Sequence, residues 1–271
     1  TDRWWGIADD GTAVHAELRR WHETLGTTAG DGYLPAELQR AGPNIARWRR
    51  YDADVEFIEL GDRDRALHAV RAAALLRGEP LSWVTTRICE GLELVPSVAP
   101  MSDDPVATII HTAEGPMHLQ TYWVDRRAAP AVRTVEYRGA TDARVSPTAA
   151  AALEAETIVI GPANPITSIG PMLQIDAITA QLRQAQVVVV SPFIGEAVFS
   201  GPAGALMQAM GYEPSTAGVA AAYPFADAFV LDATDATKLD RPTVRTDISI
   251  ETPDDAARVR AAVERAVTAT Q

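Results

Sequence analysis

Glycine, proline and small polar residues gather at points where a predicted strand ends. One such segment runs from Gly161 to Pro171 and presents Asn164, Thr167 and Ser168 as uncharged hydrogen-bonding groups. Glycine lets a ligand approach the backbone, and backbone N–H groups and hydroxyls are suited to binding a diphosphate. An ordinary strand-to-helix connection is the alternative, although most such connections are shorter. We favour the diphosphate-binding interpretation.

A second segment of this kind starts at Ser191, includes Gly195 and continues through Gly201 to a predicted helix. Its order of strand, glycine turn and helix start repeats that of the first segment. It has neither the glycine spacing of a dinucleotide-binding fingerprint nor the lysine of a P-loop, so neither motif is assigned.

A charged turn is predicted at Gly61-Asp62-Arg63-Asp64, and His68 follows within the next helix. Carboxylates accept hydrogen bonds, and a guanidinium binds phosphate or carboxylate groups. The alternative is a plain helix start, in which Asp62 or Asp64 caps backbone N–H groups. The spacing alone slightly favours the helix start.

A pair of adjacent carboxylates, Asp103 and Asp104, lies in a proline-bounded turn. Such a pair could bind a divalent cation or act as a base, and it could equally be a solvated turn. His111 and His118 are interpreted as structural residues. The sequence contains no His/Cys spacing typical of zinc and no nucleophile elbow for a serine hydrolase.

The elements that must position these groups alternate between strands and helices. Apolar strands are predicted at 157–161, 187–191 and 229–232, and helices at 176–184, 202–210, 217–223 and 253–268. Strands that are apolar throughout and alternate with helices indicate a parallel sheet covered on both faces. The predicted fold class is therefore α/β, with a doubly wound, Rossmann-like, mostly parallel sheet.

An antiparallel appendage is predicted near residues 100–140, because three stretches rich in β-branched and aromatic residues are separated by turn signals. These stretches are 106–112, 117–124 and 132–138. Helices are expected at 12–25, 35–48, 65–77, 82–90 and 147–154, with Ser82 as a helix cap, and a strand is expected at 55–60. We expect residues 1–271 to form one domain.

Composition excludes several classes of function. The net charge is −12, which argues against broad nucleic-acid binding. Lys238 is the only lysine among 24 basic residues. No apolar run approaches the length that a membrane helix needs, so no membrane partner is expected. The single cysteine, Cys89, is compatible with a reducing cytoplasm. An acidic, arginine-rich surface is also compatible with a salty cytoplasm.

Taken in order, the segments resemble the CofD family, the 2-phospho-L-lactate transferases of coenzyme F420 biosynthesis, and most of all its archaeal branch. The matching segments span nearly the whole chain: Arg3-Trp4-Trp5-Gly6-Ile7, Leu60-Gly61-Asp62-Arg63-Asp64-Arg65-Ala66, Pro100-Met101-Ser102-Asp103-Asp104-Pro105-Val106, Gly161 to Pro171, Ser191 to Gly195, and Ser200-Gly201-Pro202-Ala203-Gly204.

The resemblance implies a reaction and its participants. A ribityl hydroxyl of the deazaflavin Fo would attack the lactyl-bearing phosphorus of lactyl-2-diphospho-5'-guanosine, giving F420-0 and GMP. It also implies Mg2+ as the cofactor and a homodimer. A nucleotide-binding regulator of the related gluconeogenesis-factor fold, or the same transfer from a phosphoenolpyruvyl or phosphoglyceryl donor, remains an alternative.

The resemblance also implies roles for residues of this chain. Asp62, Arg63 and Asp64 are the catalytic candidates, and Trp5, Glu59 and His68 are the candidates for binding Fo. The donor nucleotide and phosphates are assigned to Gly161, Asn164, Thr167, Ser168, Ser191, Gly195 and Gly201. Asp103 and Asp104 are weak candidates for metal ligands.

Two features depart from the family pattern. Relatives begin with a glycine-rich strand and loop and a Pro-Asp-Leu-Asp segment, neither of which precedes Thr1. We expect a leading segment that carries the main metal ligands to be missing from this sequence. Glu59 stands where relatives often have a basic residue.

Overall fold

A computed structural model describes residues 62–94, 98–195, 197–198 and 202–270 of the chain. The predicted helices at 12–25 and 35–48, the strand at 55–60, and the residues Trp5, Glu59 and Gly201 lie outside the described residues. The chain divides into two compact units. The expectation of one domain stays a prediction.

The first unit contains residues 62–94 and 98–103, Pro116–Pro130 and Ser146–Ala149. Its helices are α1 (Asp62–Leu76) and α2 (Leu81–Gly91). The helix predicted from residue 65 begins earlier, because Asp62 to Asp64 already form the first turn of α1, in agreement with the helix-start alternative and not with a separate polar turn. The chain leaves α1 through Gly78, whose φ of +90° favours glycine.

The cap of α2 is also different from the prediction. Ser82 does not cap the helix; its own N–H donates to Oδ1 of Asp103 at 2.6 Å, and its hydroxyl donates to Oδ2 at 2.8 Å. The residue at the N-cap, Pro80, makes no side-chain hydrogen bond. A carboxylate from further along the chain therefore satisfies a backbone donor in the first turn of this helix.

The antiparallel strands are β1 (Ala107–Thr112), β2 (Gly115–His118) and β3 (Val132–Arg138), in the order β2-β1-β3. β1 and β3 pair antiparallel, as predicted. The strand predicted at 117–124 ends at His118, and Thr121–Asp125 forms a π-helical turn instead. That turn buries the ring of Tyr122, whose hydroxyl donates to the Ala128 carbonyl at 3.2 Å.

The second unit contains Asp104–Gly115, Ala131–Val145 and the described residues from Ala150 onward. Its main sheet has the strand order β4-β5-β8-β9, and all three neighbouring pairs are parallel. These strands are β4 (Thr157–Ile160), β5 (Gln186–Val190), β8 (Ala228–Asp232) and β9 (Thr243–Thr246). Between β5 and β8 lies a short antiparallel pair, β6 (Phe193–Ile194) and β7 (Ala197–Val198).

Short helices connect the strands, and one longer helix ends the fold. They are α3 (Pro147–Leu153), α4 (Gly170–Leu173), α5 (Asp176–Leu182), α6 (Ala203–Ala209), α7 (Thr216–Ala222) and α8 (Pro253–Thr268). Every residue of β8 is buried, as are four successive valines of β5, which confirms the predicted α/β fold with a sheet covered on both faces. β9 escaped prediction because three of its four residues are polar.

One face of the sheet packs against α8. Val188 and Val190 of β5 and Val230 of β8 alternate along their strands and therefore point to the same side. α8 contributes Val259, Ala262 and Ala266 to this cluster, at the spacing of one helical face. In the part of the chain that the structure describes, no helix is long and apolar enough to cross a membrane.

The sheet gives a direct test of which valines stabilise the fold. Val188 and Val159 are register partners on β5 and β4, yet Val188 is fully buried and Val159 is 47% exposed. We expect V188A to lower the free energy of unfolding by about 2 kcal/mol, because two buried methyl groups are lost and a cavity remains. V159A removes the same atoms and should cost much less in a denaturant titration. Equal losses would contradict the packing described.

Candidate functional site

The carboxyl ends of the parallel strands bring the two predicted glycine-containing segments together. The residues that follow β4 and β5 line a cavity of about 90 Å³ together with residues that follow β9. Its lining residues are Pro162, Ser191, Pro192, Ile194, Ile248 and Ile250. In parallel α/β sheets this edge is where ligands bind. The contribution of residues 247–250 was not predicted.

The segment from Gly161 to Pro171 is more regular than the predicted loop. Pro165–Ile169 forms a π-helical turn that leads into α4. The side chain of Asn164 caps it: Oδ1 accepts from the N–H groups of Ile166 at 2.9 Å and Thr167 at 3.1 Å. The Ser168 N–H donates to the Asn164 carbonyl at 3.0 Å.

These bonds change which groups of the segment can meet a ligand. The amides of residues 166–168 are used internally, so they are not free to bind a diphosphate as predicted. Because Oδ1 of Asn164 is the acceptor, Nδ2 is left as a donor, and it has no partner among the described residues. Ser168 and the backbone at Gly161 are exposed, so a ligand can also reach them.

Tyr137 holds this turn from the side. Its hydroxyl donates to the Ile166 carbonyl at 2.7 Å, and burial raises the pKa of Tyr137, so the hydroxyl remains a neutral donor. A Cβ placed on Gly170 would lie 2.1 Å from the same hydroxyl oxygen. Gly170 is therefore required by the close approach of Tyr137.

The segment after β5 is held by buried polar groups. The Ser191 hydroxyl lies 2.7 Å from the Thr216 hydroxyl, and it accepts from the Phe193 N–H at 3.2 Å. Thr216 in turn donates to Oδ2 of Asp235 at 2.6 Å. The predicted ligand-binding residue Ser191 is fully buried, and its side chain serves this network.

A second carboxylate after β8 supports Gly195. Oδ1 of Asp232 accepts from the backbone N–H of Thr234 at 2.9 Å and from its hydroxyl. The Thr234 hydroxyl oxygen would lie 3.3 Å from a Cβ on Gly195, whose φ is +60°. Gly195 therefore has a structural reason to be glycine, apart from any ligand.

The support from residues 232–237 was not found from the sequence. A signal was present, because Asp232-Ala233-Thr234-Asp235 follows a predicted apolar strand directly, as the glycine-containing segments do. Thr216 gave no such signal. Its contact with Ser191 depends on how α7 packs beside the carboxyl end of β5.

The wall formed by Ile248 and Ile250 is held by Arg258 of α8. Its guanidinium donates to the backbone carbonyls of Asp247 and Ser249, each at 3.0 Å, and to Oδ1 of Asp255 at 2.6 Å. Asp255 also completes a capping box with Thr252 at the start of α8. Hydrogen bonds from Thr252 and Arg258 hold the pKa of Asp255 far below its ordinary value.

The predicted catalytic and acceptor-binding residues belong to the first unit or lie outside the described residues. Asp62, Arg63 and Asp64 begin α1, which places their backbone in a helix. His68 is half-buried in the same helix, and its Nδ1 contacts the Arg71 guanidinium. The catalytic and acceptor-binding roles of these residues stay predictions.

The carboxylates proposed as weak metal ligands are already engaged. Asp103 accepts two hydrogen bonds from Ser82. Asp104 accepts from the backbone N–H of Arg144 at 2.9 Å, and this bond holds the pKa of Asp104 below its ordinary value. Among residues 62–94, 98–195, 197–198 and 202–270, no group of three or more His, Cys, Asp or Glu side chains could hold a metal ion.

The contact between Gly170 and Tyr137 predicts a specific coupling. G170A should lower the free energy of unfolding by about 1–3 kcal/mol through overpacking. Y137F alone should cost about 1 kcal/mol, because the Ile166 carbonyl loses its donor. In the double variant the total loss should be smaller than the sum of the two single losses, since the nearest clashing atom, the hydroxyl oxygen, is gone. The ring Cζ of residue 137, 2.7 Å from the same Cβ, remains, so part of the G170A loss should persist.

Chemical denaturation of the four proteins measures this coupling. G161A is the matched control, because a Cβ on Gly161 has no atom within 4 Å. Strict additivity of G170A and Y137F, or an equal loss in G161A, would contradict the close approach.

The depressed pKa of Asp255 predicts a pH dependence of stability. A carboxyl whose pKa is lower in the folded state stabilises the fold above the unfolded pKa, near pH 4, and this contribution is lost as the pH falls further. We expect wild type to be more stable than D255N at neutral pH, with the difference shrinking below about pH 4. D254N removes the neighbouring carboxylate of the same turn and should show a smaller difference at all pH values in thermal melts.

Known proteins resemble this chain over nearly its whole length. The family model described as 2-phospho-L-lactate transferase CofD matches residues 9–270. The 2-phospho-L-lactate transferase of Haloarcula marismortui is 52% identical over 98% of this chain and 80% of its own length. That of Halobacterium salinarum is 51% identical over 99% of this chain and 80% of its own length.

A solved structure supports the fold. A member of the UPF0052 family from Bacillus halodurans superposes with a TM-score of 0.53 at 16% identity, covering 71% of this chain and 70% of that one. At this identity the likeness concerns the fold alone. From the family match and the two halophilic relatives, we conclude that this chain belongs to the 2-phospho-L-lactate transferase CofD family, a family of transferases in coenzyme F420 biosynthesis.

Proposed function

We propose that this transferase moves the 2-phospho-L-lactyl group from lactyl-2-diphospho-5'-guanosine to a ribityl hydroxyl of the deazaflavin Fo, giving F420-0 and GMP. The observation that carries the proposal is the match of residues 9–270 to 2-phospho-L-lactate transferases, with 52% identity to one of them. That match supports 2-phospho-L-lactyl as the group that is transferred. The donor and acceptor follow from the family resemblance.

The proposed step exchanges a phosphoanhydride bond for a phosphoester bond at a single phosphorus. The Fo hydroxyl oxygen forms a bond to the lactyl-bearing phosphorus, and the bond from that phosphorus to the bridging oxygen breaks. The bridging oxygen leaves with GMP, and the hydroxyl proton passes to a base or to solvent. Because little covalent chemistry is required of the protein, positioning of the two substrates is its main contribution.

We place the donor at the carboxyl ends of β4 and β5. Three groups there have the character that a nucleoside diphosphate needs: the Nδ2 donor of Asn164, the exposed Ser168, and the mostly apolar cavity beside Ser191. A neutral amide donor binds phosphate oxygens without adding charge. Apolar walls suit the uncharged parts of the ligand.

The acceptor and metal are assigned on the family pattern. Asp62, Arg63 and Asp64 are proposed to act near the reacting groups, with Trp5, Glu59 and His68 toward Fo. Mg2+ is proposed as the cofactor, with ligands other than the described carboxylates. We assign no chemical step to the metal. A homodimer remains part of the same proposal.

The decisive experiment mixes the full-length protein with Fo, lactyl-2-diphospho-5'-guanosine and Mg2+ and follows products by mass spectrometry. We expect F420-0 and GMP in equal amounts, and loss of product when EDTA removes the metal. The phosphoenolpyruvyl and phosphoglyceryl analogues form parallel reactions that identify the donor. Nucleotide binding without product from any donor would indicate a regulator and overturn the proposal.

Asn164 provides a paired test of the donor site. N164A removes both the cap and the free amide, so it should lower stability by about 1 kcal/mol and turnover by orders of magnitude. N164D keeps the capping oxygen but replaces the amide donor with a carboxylate oxygen. It should therefore retain stability and still lose turnover, because like charges repel. Near-normal turnover in N164D would remove Asn164 from the donor site.

A further inference from the structure

A buried chain of hydrogen bonds connects the turn after β8 to the cavity wall after β5. Its members are Ser191, Thr216 and Asp235, which are 0%, 2% and 5% exposed. Asp235 accepts from Thr216 through Oδ2 at 2.6 Å and from the Thr237 N–H through Oδ1 at 2.8 Å. All of these residues belong to the second unit.

The direction of the chain follows from counting protons. A hydroxyl has one proton to donate, and an ionised carboxylate has none. Thr216 donates its proton to Asp235, so in the 2.7 Å contact with Ser191 it must be the acceptor. Ser191 then donates to Thr216 and accepts from the Phe193 N–H. Each hydrogen bond in the series is therefore donated toward Asp235: the Phe193 N–H donates to Ser191, Ser191 to Thr216, and Thr216 to Asp235.

The charged state of Asp235 sets that direction. Burial alone would raise the pKa of Asp235, but the hydrogen bonds from Thr216 and Thr237 and the charge of Arg245 bring that pKa below its ordinary value. The guanidinium of Arg245 also donates to the Asp235 backbone carbonyl at 2.8 Å. A buried carboxylate is costly unless such partners are present, and here they are all in place.

We propose that Asp235 and Thr216 are positioning residues for the diphosphate donor: they orient the Ser191 hydroxyl inward and, through it, fix the Phe193 amide and the cavity wall formed by Ser191, Pro192 and Ile194. This inference rests on the proposed function where it places the donor in that cavity. The residues touch the wall of the site and not the reacting atoms.

This series of hydrogen bonds therefore preorganises the proposed donor site. Ser191 lines the cavity, but its proton is held away from any ligand there. A ligand gains affinity from a wall that is already ordered, because less ordering remains to be done on binding. The Asp232–Thr234 contact against Gly195 supports the far end of the same wall.

Three variants separate this role from general stability. T216V keeps the shape of the side chain but removes the hydrogen bonds of residue 216 to both Ser191 and Asp235. T216S restores the hydroxyl and is the matched control. D235N should reverse the chain, because Asn Oδ1 can still accept from Thr237 while Nδ2 donates to Thr216. Thr216 would then donate to Ser191 and release the Ser191 proton.

Three measurements are made on the full-length protein: KM and kcat for the donor, Kd for GDP by calorimetry, and hydrogen exchange of the Phe193 amide. For T216V we expect about a tenfold rise in donor KM and in the GDP Kd, a kcat within about twofold, and about tenfold faster Phe193 exchange. T216S should return all three to within about twofold of wild type. D235N should bind GDP more tightly than T216V, because the Thr216–Ser191 hydrogen bond still holds the cavity wall in D235N and is lost in T216V.

The outcomes distinguish this inference from the proposed function. If wild type forms no F420-0 from any donor, the proposed function fails, and Phe193 exchange still tests the chain. If wild type is active while T216V matches it in KM and exchange, the positioning role fails alone. Equal impairment of T216S and T216V would also overturn it, as would D235N binding GDP more weakly than T216V. Should T216V not fold, T216A replaces it in the same comparison with T216S.

Discussion

Complete burial of two neighbouring strands is the constraint on which the rest of this structure depends. The four valines of β5 and all five residues of β8 are inaccessible to solvent, so both faces of the sheet must be covered by other elements. Crossover connections between parallel strands place helices on both faces of such a sheet. This arrangement places the carboxyl ends of β4, β5, β8 and β9 at the same edge of the sheet, and the segments that follow these strands lie there.

The same burial limits which polar groups can occupy that edge. Each carboxylate that follows β8 must have hydrogen-bond partners, since an unpaired buried charge is strongly unfavourable. Asp232 and Asp235 both satisfy this requirement with threonine hydroxyls and backbone N–H groups. They act as fixed acceptors that hold neighbouring segments in place. The proposed donor site is therefore supported by acidic residues that need not contact the donor.

In the segment after β4, local structure changes which groups are available to bind a ligand. Its composition indicated a loop with exposed amides, yet Asn164 and Tyr137 fold it into a compact π-helical turn. The amides are used within that turn, and the side-chain amide of Asn164 is the group left for a ligand. The ligand-binding role of Asn164 stays a prediction, and the backbone amides of residues 166–168 are removed from the predicted site.

Local sequence patterns determined the elements, the parallel sheet and the family. The apolar runs of β5 and β8, the exact bounds of α8, and the ordered glycine-containing segments depend on neighbours along the chain, which a sequence displays. Tertiary structure alone decided the Asp103 cap of α2, the Tyr137 contact with Gly170, and the Phe193–Ser191–Thr216–Asp235 chain. In each of these, residues distant in sequence meet through packing, and no pattern of spacing records such a meeting.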